Sequence, residues 1–205
     1  MSKFAVFVEG LELDLLGGID TSSRRLAATR AINKVARDAR SKAARLIRNE
    51  VNLPARYVSP AQRRLWVSKS ATQNSLEARI EAQGRATSLA QFVRGAPRAG
   101  KPGVYVEVAP GKARFLKKAF LIKLPQGASP VTDTKFNLGL AVRLRPGESL
   151  KNKISARRVE KGLYVLYGPS VNQVFRANDG QGIANEMSPD VARRLEAEFL
   201  RLLGI

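Results

Sequence analysis

The chain has 205 residues, of which 36 are basic and 17 acidic, giving a formal net charge of +19, and 44% are hydrophobic with no cysteine and no histidine. An apolar fraction of that size builds a core, so this is not a disordered tail; the missing Cys and His exclude disulfides, thiolate or imidazole metal sites, Cys nucleophiles and His bases. The charge directs the protein toward a polyanion, whether DNA, RNA, an anionic membrane or an acidic protein surface.

The N-terminus, MSKFAVFVEGLELDLL, carries acids inside a short apolar run, and no stretch of about 18 apolar residues follows. Neither a membrane span nor a signal peptide is expected, and the chain reads as soluble and intracellular at synthesis. Phe4, Val6 and Val8 alternate with their neighbours as a strand does, and Leu11, Leu13 and Leu15 continue the period to the Gly17-Gly18 break.

From Thr21 the period changes. Ala28, Ile32, Val35, Ala39, Ala43 and Leu46 recur at steps of three and four, which predicts an amphipathic helix of about 25 to 30 residues. Asp20, Thr21, Ser22 and Ser23 supply N-cap candidates, and Pro54 disfavours helix at Leu53. Arg30, Lys34, Arg37, Arg45 and Arg48 fall opposite the apolar stripe. Residues 21–72 hold 13 basic and 2 acidic residues, so more than half the net charge sits in a quarter of the chain. This face reads either as a solvated helix surface or as an anion-facing one, and Arg63, Arg64 and Lys69 beyond the helix extend the candidate set.

Arg63–Lys69 and Ser75–Ala82 read as two strands around a Thr72-Gln73-Asn74 turn, the second directing Leu76, Ala78, Ile80 and Ala82 inward. Trp66 is a core side chain on this reading, with base stacking as the alternative. Gly95 to Pro102, GAPRAGKP, stops one residue short of a phosphate-binding P-loop. Pro102 stands where the Mg²⁺-binding Ser or Thr belongs, and Gly103–Val108 reads as strand where a helix must open. The stretch is therefore an exposed basic loop, and a short apolar piece, Leu89–Val93, precedes it as a single helical turn.

Pro110-Gly111 marks a turn, Ala113–Leu124 supplies the next apolar segment, and Leu138–Arg145 alternates as a strand stopped by Pro146-Gly147. Lys151–Lys161 carries a second basic group, and Leu163, Val165 and Tyr167 form a strand ended by Gly168-Pro169. Asn178–Glu186 is glycine-rich and reads as a loop. Ser188-Pro189-Asp190 then resembles a helix start, followed by Val191, Leu195, Phe199 and Leu202 as the apolar stripe of a terminal helix closed by Gly204.

These elements predict a single α+β domain over residues 1–205: a long N-terminal amphipathic helix and a C-terminal helix packed on a mostly antiparallel sheet. Mobile loops are expected near 95–102, 126–134 and 178–187. Glu77 and Glu81, or Glu196 and Glu198, are carboxylate pairs of the kind any surface offers, so no catalytic residue, metal site or cofactor is expected.

AINKVARDARSKAARLIRNEVNLPARYV (31–58), RRLWVSKSA (63–71), SLEARIEA (75–82), TSLAQF (87–92), GVYVEVAPGKARFLKKAFLIKL (103–124) and KGLYVLYGPSVNQVF (161–175) together resemble the bacteriophage minor tail protein Z family, over roughly residues 24 to 176. The resemblance implies a non-enzymatic virion protein that completes the tails of long-tailed phages near the head-proximal end. It implies other tail or neck proteins as partners, such as a tail terminator, tail tube or head-tail connector, with no membrane. A homo-oligomeric ring or a few copies per virion is expected, with the basic surface facing DNA non-specifically or an acidic ring partner. A soluble, sequence-independent nucleic-acid-binding module is the alternative, and a wall-degrading tail hydrolase using Glu77, Glu81 or Glu107 is the third reading.

Overall fold

The computed structural model describes residues 3–6, 20–95, 103–124, 137–150, 156–176 and 182–205. The chain is α+β, as the periodicities predict, and its contacts divide it into two compact units: Met1–Ile47, Val58–Gly84 and Val171–Ile205 in one, Arg48–Tyr57 and Arg85–Ser170 in the other.

The first unit holds β1 (Lys3–Val6) and all but the last three residues of α1 (Thr21–Glu50), at 30 residues the longest described element. Asp20 caps α1: its carboxylate accepts from the backbone N–H of Ser22 and of Ser23, both at 3.1 Å, satisfying donors that the helix cannot. The buried face is broader than a narrow stripe, taking in Ala27, Ala31, Ala36, Ala44 and Ile47 as well, while Leu46 is only half-buried. Alanine makes this breadth possible, because a side chain of one carbon lets neighbouring elements approach the helix from two sides.

Two 3-10 turns, Ala55–Val58 and Pro60–Gln62, separate α1 from β2 (Leu65–Lys69). The strand expected from Arg63 therefore begins two residues later, since Arg63 closes the second turn with a left-handed backbone (φ 46°). β3 (Ala78–Ala82) pairs antiparallel with both β1 and β2, in the order β1-β3-β2. Ala78, Ile80 and Ala82 are buried and Leu76 partly so, and a Thr72–Ser75 bridge forms the expected turn. Asn33 of α1 latches the chain after β2, its side-chain amide both donating to the Ala71 carbonyl (2.9 Å) and accepting from the Ala71 N–H (2.8 Å).

In the second unit, β4 (Thr87–Ser88), a 3-10 turn at Leu89–Phe92 and β5 (Val93–Arg94) precede β6 (Val104–Val106). Strand follows the GAPRAGKP loop, as the P-loop argument requires; residues 96–102 lie outside those described. The apolar segment 113–124 is not one element but two, β7 (Arg114–Leu116) and β8 (Ala119–Leu124), because Lys117-Lys118 makes a turn between them. β9 (Asn137–Arg143), β10 (Ala156–Glu160) and β11 (Leu163–Gly168) complete an antiparallel sheet ordered β10-β11-β9-β8, with β4 on β11; a second sheet is ordered β5-β6-β7. Leu124, Ala141, Leu163 and Val165 form the core of the larger sheet, with Phe120, Ile122 and Tyr167 against it. The linker expected at 126–134 lies outside the described residues.

The chain returns to the first unit through α2 (Val171–Arg176), a helix that no sequence signal announces, and ends in α3 (Ile183–Leu203). Here the sequence reading needs correction. The loop expected over 178–187 gives way to helix at Ile183, and Ser188-Pro189-Asp190 is not the start of α3 but lies inside it. Burial of Ile183, Ala184 and Met187 holds the added turns in place. Gly204 closes the helix in the left-handed region (φ 77°), as expected.

Candidate anion-facing surface

Arg30, Lys34, Arg37, Arg45 and Arg48 are all exposed on α1. At 100° per residue they occupy an arc of about 80°, and at 1.5 Å per residue they run about 27 Å along the helix. The structure sorts these cations by what they touch. Lys34 is already engaged, its Nζ 3.2 Å from Glu198 of α3 and 3.7 Å from Asp38. Among the described residues Arg30, Arg37, Arg45 and Arg48 have no acidic partner.

Arg64 does not share that exposure. It is 3% exposed and donates to the Gln83 side-chain oxygen (2.7 Å). Lys69 forms an ion pair with Glu77, and Arg63 is exposed at the turn before β2. Trp66 is half-buried on β2 opposite Glu81. Four arginines of one helix and Arg63 thus remain as open cations of the expected set, with Lys34 and Lys69 partly neutralised.

Sequence reading missed the opposite use of positive charge. Arg40 faces inward at 9% exposure and donates to the backbone carbonyls of Leu65 (2.9 Å) and Val58, stitching α1 to β2 and to the end of the first 3-10 turn. Burial lowers its guanidinium pKa. Arg40 was not distinguishable by type from its exposed neighbours; its position on the wheel, beside Ala36, Ala43 and Ala44, was the available signal.

Two acids of α3 act as nodes between helices. Asp190 takes Lys42 of α1 (2.8 Å) together with Arg193 (3.1 Å) and Arg194 (2.9 Å), and Glu198 takes Lys34 together with Arg201 (2.7 Å). The hydrogen bond from Lys42 is the main cause holding the Asp190 carboxyl far below its usual range. That from Arg201, followed by Lys34, pulls Glu198 down to about 2. Between the helices Val35, Ala39, Met187 and Val191 line a cleft of about 160 Å³ rimmed by Arg45 and Arg194.

Glu77 and Glu107 also move downward, Glu77 through Lys69 and Glu107 through the Gly111 N–H. A general acid at neutral pH needs the reverse shift. Among the described residues no group of three or more acids is placed to hold a metal ion, and no helix is long and apolar enough to cross a membrane.

Comparison with protein-family models matches residues 10–204, nearly the whole chain, to the family described as prophage minor tail protein Z (GPZ). Neither curated proteins nor solved structures gave a match.

Proposed function

As the chain belongs to the prophage minor tail protein Z family, and so has a structural role in the phage tail and a place in the virion, we propose that it completes the tail at its head-proximal end, holding a polyanion against the exposed face of α1. The observation that carries this reading is the set of four arginines, Arg30, Arg37, Arg45 and Arg48, aligned on one face with no acidic partner among the described residues. Ordinary solvated helices intersperse acids with their bases and so neutralise part of their own field; here Asp38 is turned to Lys34. Contacts of this sort read charge and not base sequence, and they suit genomic DNA entering a tail as well as an acidic ring formed by a tail terminator, tail tube or connector. A ring or a few copies of the chain would repeat the arginine face around the passage.

The test replaces the four arginines together with glutamine, leaving Lys34 so that its tie to Glu198 survives. Tails that form but fail to join heads or deliver DNA, seen by electron microscopy alongside a loss of infectivity, are the expected result. Normal infectivity from such a variant, with the protein present in the particle, overturns the reading.

A further inference from the structure

The second unit presents a different kind of surface. In the β5-β6-β7 sheet Arg94, Tyr105 and Phe115 stand in one row across the three strands, Arg94 opposite Tyr105 and Tyr105 opposite Phe115. Val104 and Val106 point to the other side and are buried. Tyr105 is 56% exposed and Phe115 49%, yet their rings touch, with centroids 4.8 Å apart and planes tilted by 43°. Cross-strand aromatic pairs of this geometry attract one another, so the two rings hold a fixed shape in water.

The seat beneath them is specific. Gly103 has φ +120°, a conformation that side-chain-bearing residues rarely adopt, and a Cβ there would lie 2.6 Å from Phe115 Cζ. Only glycine lets the Phe115 ring lie over the start of β6. At the other end of the row, Arg94 is oriented by Glu107 (Nε to Oε2, 2.7 Å), whose second oxygen accepts from the Gly111 N–H (2.7 Å). Tyrosine and arginine are the residue types that dominate binding energy at protein interfaces, and a pre-ordered cluster loses little freedom when covered.

Charge identifies what covers it. Among the described residues the acid nearest the row, Glu107, is already bound, whereas Lys112 and Lys117, on either side of Phe115 along the chain, are exposed with no acid partner among the described residues; Arg114 shares the other side of the sheet with Val106. A second copy of this chain would bring like charges together, which disfavours a homotypic contact. Duplex DNA offers phosphate to the cations, but it receives aromatic side chains only by unstacking its base steps, which costs a few kcal/mol per step.

We propose that Tyr105, Phe115 and Arg94 form a docking site for a different tail protein, one presenting an apolar projection ringed by acidic side chains. This uses family membership alone and does not depend on the role given to α1. The experiment places the photo-crosslinker p-benzoylphenylalanine at position 115, retaining a ring there, in particles with α1 unchanged. After irradiation, an adduct to an acidic segment of another tail protein is expected. Adducts only to a second copy of the chain, adducts to DNA, or none at all overturn the proposal. In parallel, Tyr105→Ala with Phe115→Ala, checked for an unchanged far-UV spectrum and melting curve, is expected to lower incorporation into particles at least tenfold. Incorporation at the native level overturns it.

Discussion

The two exposed surfaces solve the problem of holding a neighbour by opposite means. The α1 face is long, cationic and built from flexible arginines with no apolar element among them, whereas the β5-β6-β7 face is small, with two touching rings, one of them seated over a glycine. Electrostatic attraction between exposed charges acts over about 8–10 Å at ordinary salt and tolerates misalignment; apolar contact acts only on touching and demands shape. A protein carrying both separates attraction from recognition: one surface gathers an anion without regard to register, the other accepts a single fit.

Salt separates them most widely. If the four arginines each neutralise a phosphate of duplex DNA, the log–log slope is about −3.6, so a tenfold rise in salt weakens binding by roughly 4,000-fold. Fluorescence anisotropy on random-sequence duplex measures this, and the four-glutamine variant should lose that slope. Incorporation through the aromatic face should change far less over the same range. A steep salt dependence there as well would erase the contrast.

The next effect tests the cations turned inward. Arg40→Met leaves the Val58 and Leu65 carbonyls without their donor, and the expected loss of stability is about 3 kcal/mol by denaturant unfolding. The conservative view that all α1 arginines are equivalent predicts the same result for Arg37→Met, which should instead be near neutral. Gly103→Ala is expected to cost about 1–2 kcal/mol through its backbone conformation and to displace Phe115, weakening incorporation without touching DNA affinity.

A smaller effect is read from pH. The Glu198 carboxyl sits near 2 in the folded chain against an ordinary value of 4.5, so its contribution is complete above about 4.5 and is lost as pH falls toward 2. Asp190 is depressed too and adds to the loss in the same direction. Stability measured from pH 6 downward should decline over that window, and Glu198→Gln should flatten the decline. A stability that rises on acidification would contradict the ion-pair nodes. Smallest of all, Lys34→Gln should weaken the α1–α3 tie more than it weakens binding of an anion, the reverse of Arg37→Gln.

Much of the fold was legible because it is written in local periodicity. The 3.6-residue recurrence from Ala28 to Ala43, the Asp20 cap and the Gly204 stop are decided within a few residues, and the structure follows them. What periodicity misjudged depended on distant burial. Ile183 and Met187 turn a glycine-rich stretch into the first turns of α3, and Lys117-Lys118 splits an apolar run that reads as continuous. The same division holds for the surfaces. The arginine arc follows from spacing alone, but the fates of Lys34, Arg40 and Arg64 required knowing which acid or carbonyl lies across from each. Tyr105 was readable as the side opposite the valines of β6; its pairing with Phe115 required the hairpin register.

Pro189 leaves a further mark on the closing helix. It has no N–H to give to the Asn185 carbonyl, and yet Ser188, Pro189 and Asp190 together retain the chemistry of a helix start. Unwinding of residues 183–188 exposes Ile183, Ala184 and Met187 but leaves a shorter rod with its own ready cap, and both acids that grip α1 remain within it. The opening turns of α3, held by burial of Ile183, Ala184 and Met187, are therefore expected to exchange their amide hydrogens ahead of the turns that carry Asp190 and Glu198, a difference that hydrogen-exchange mass spectrometry would read.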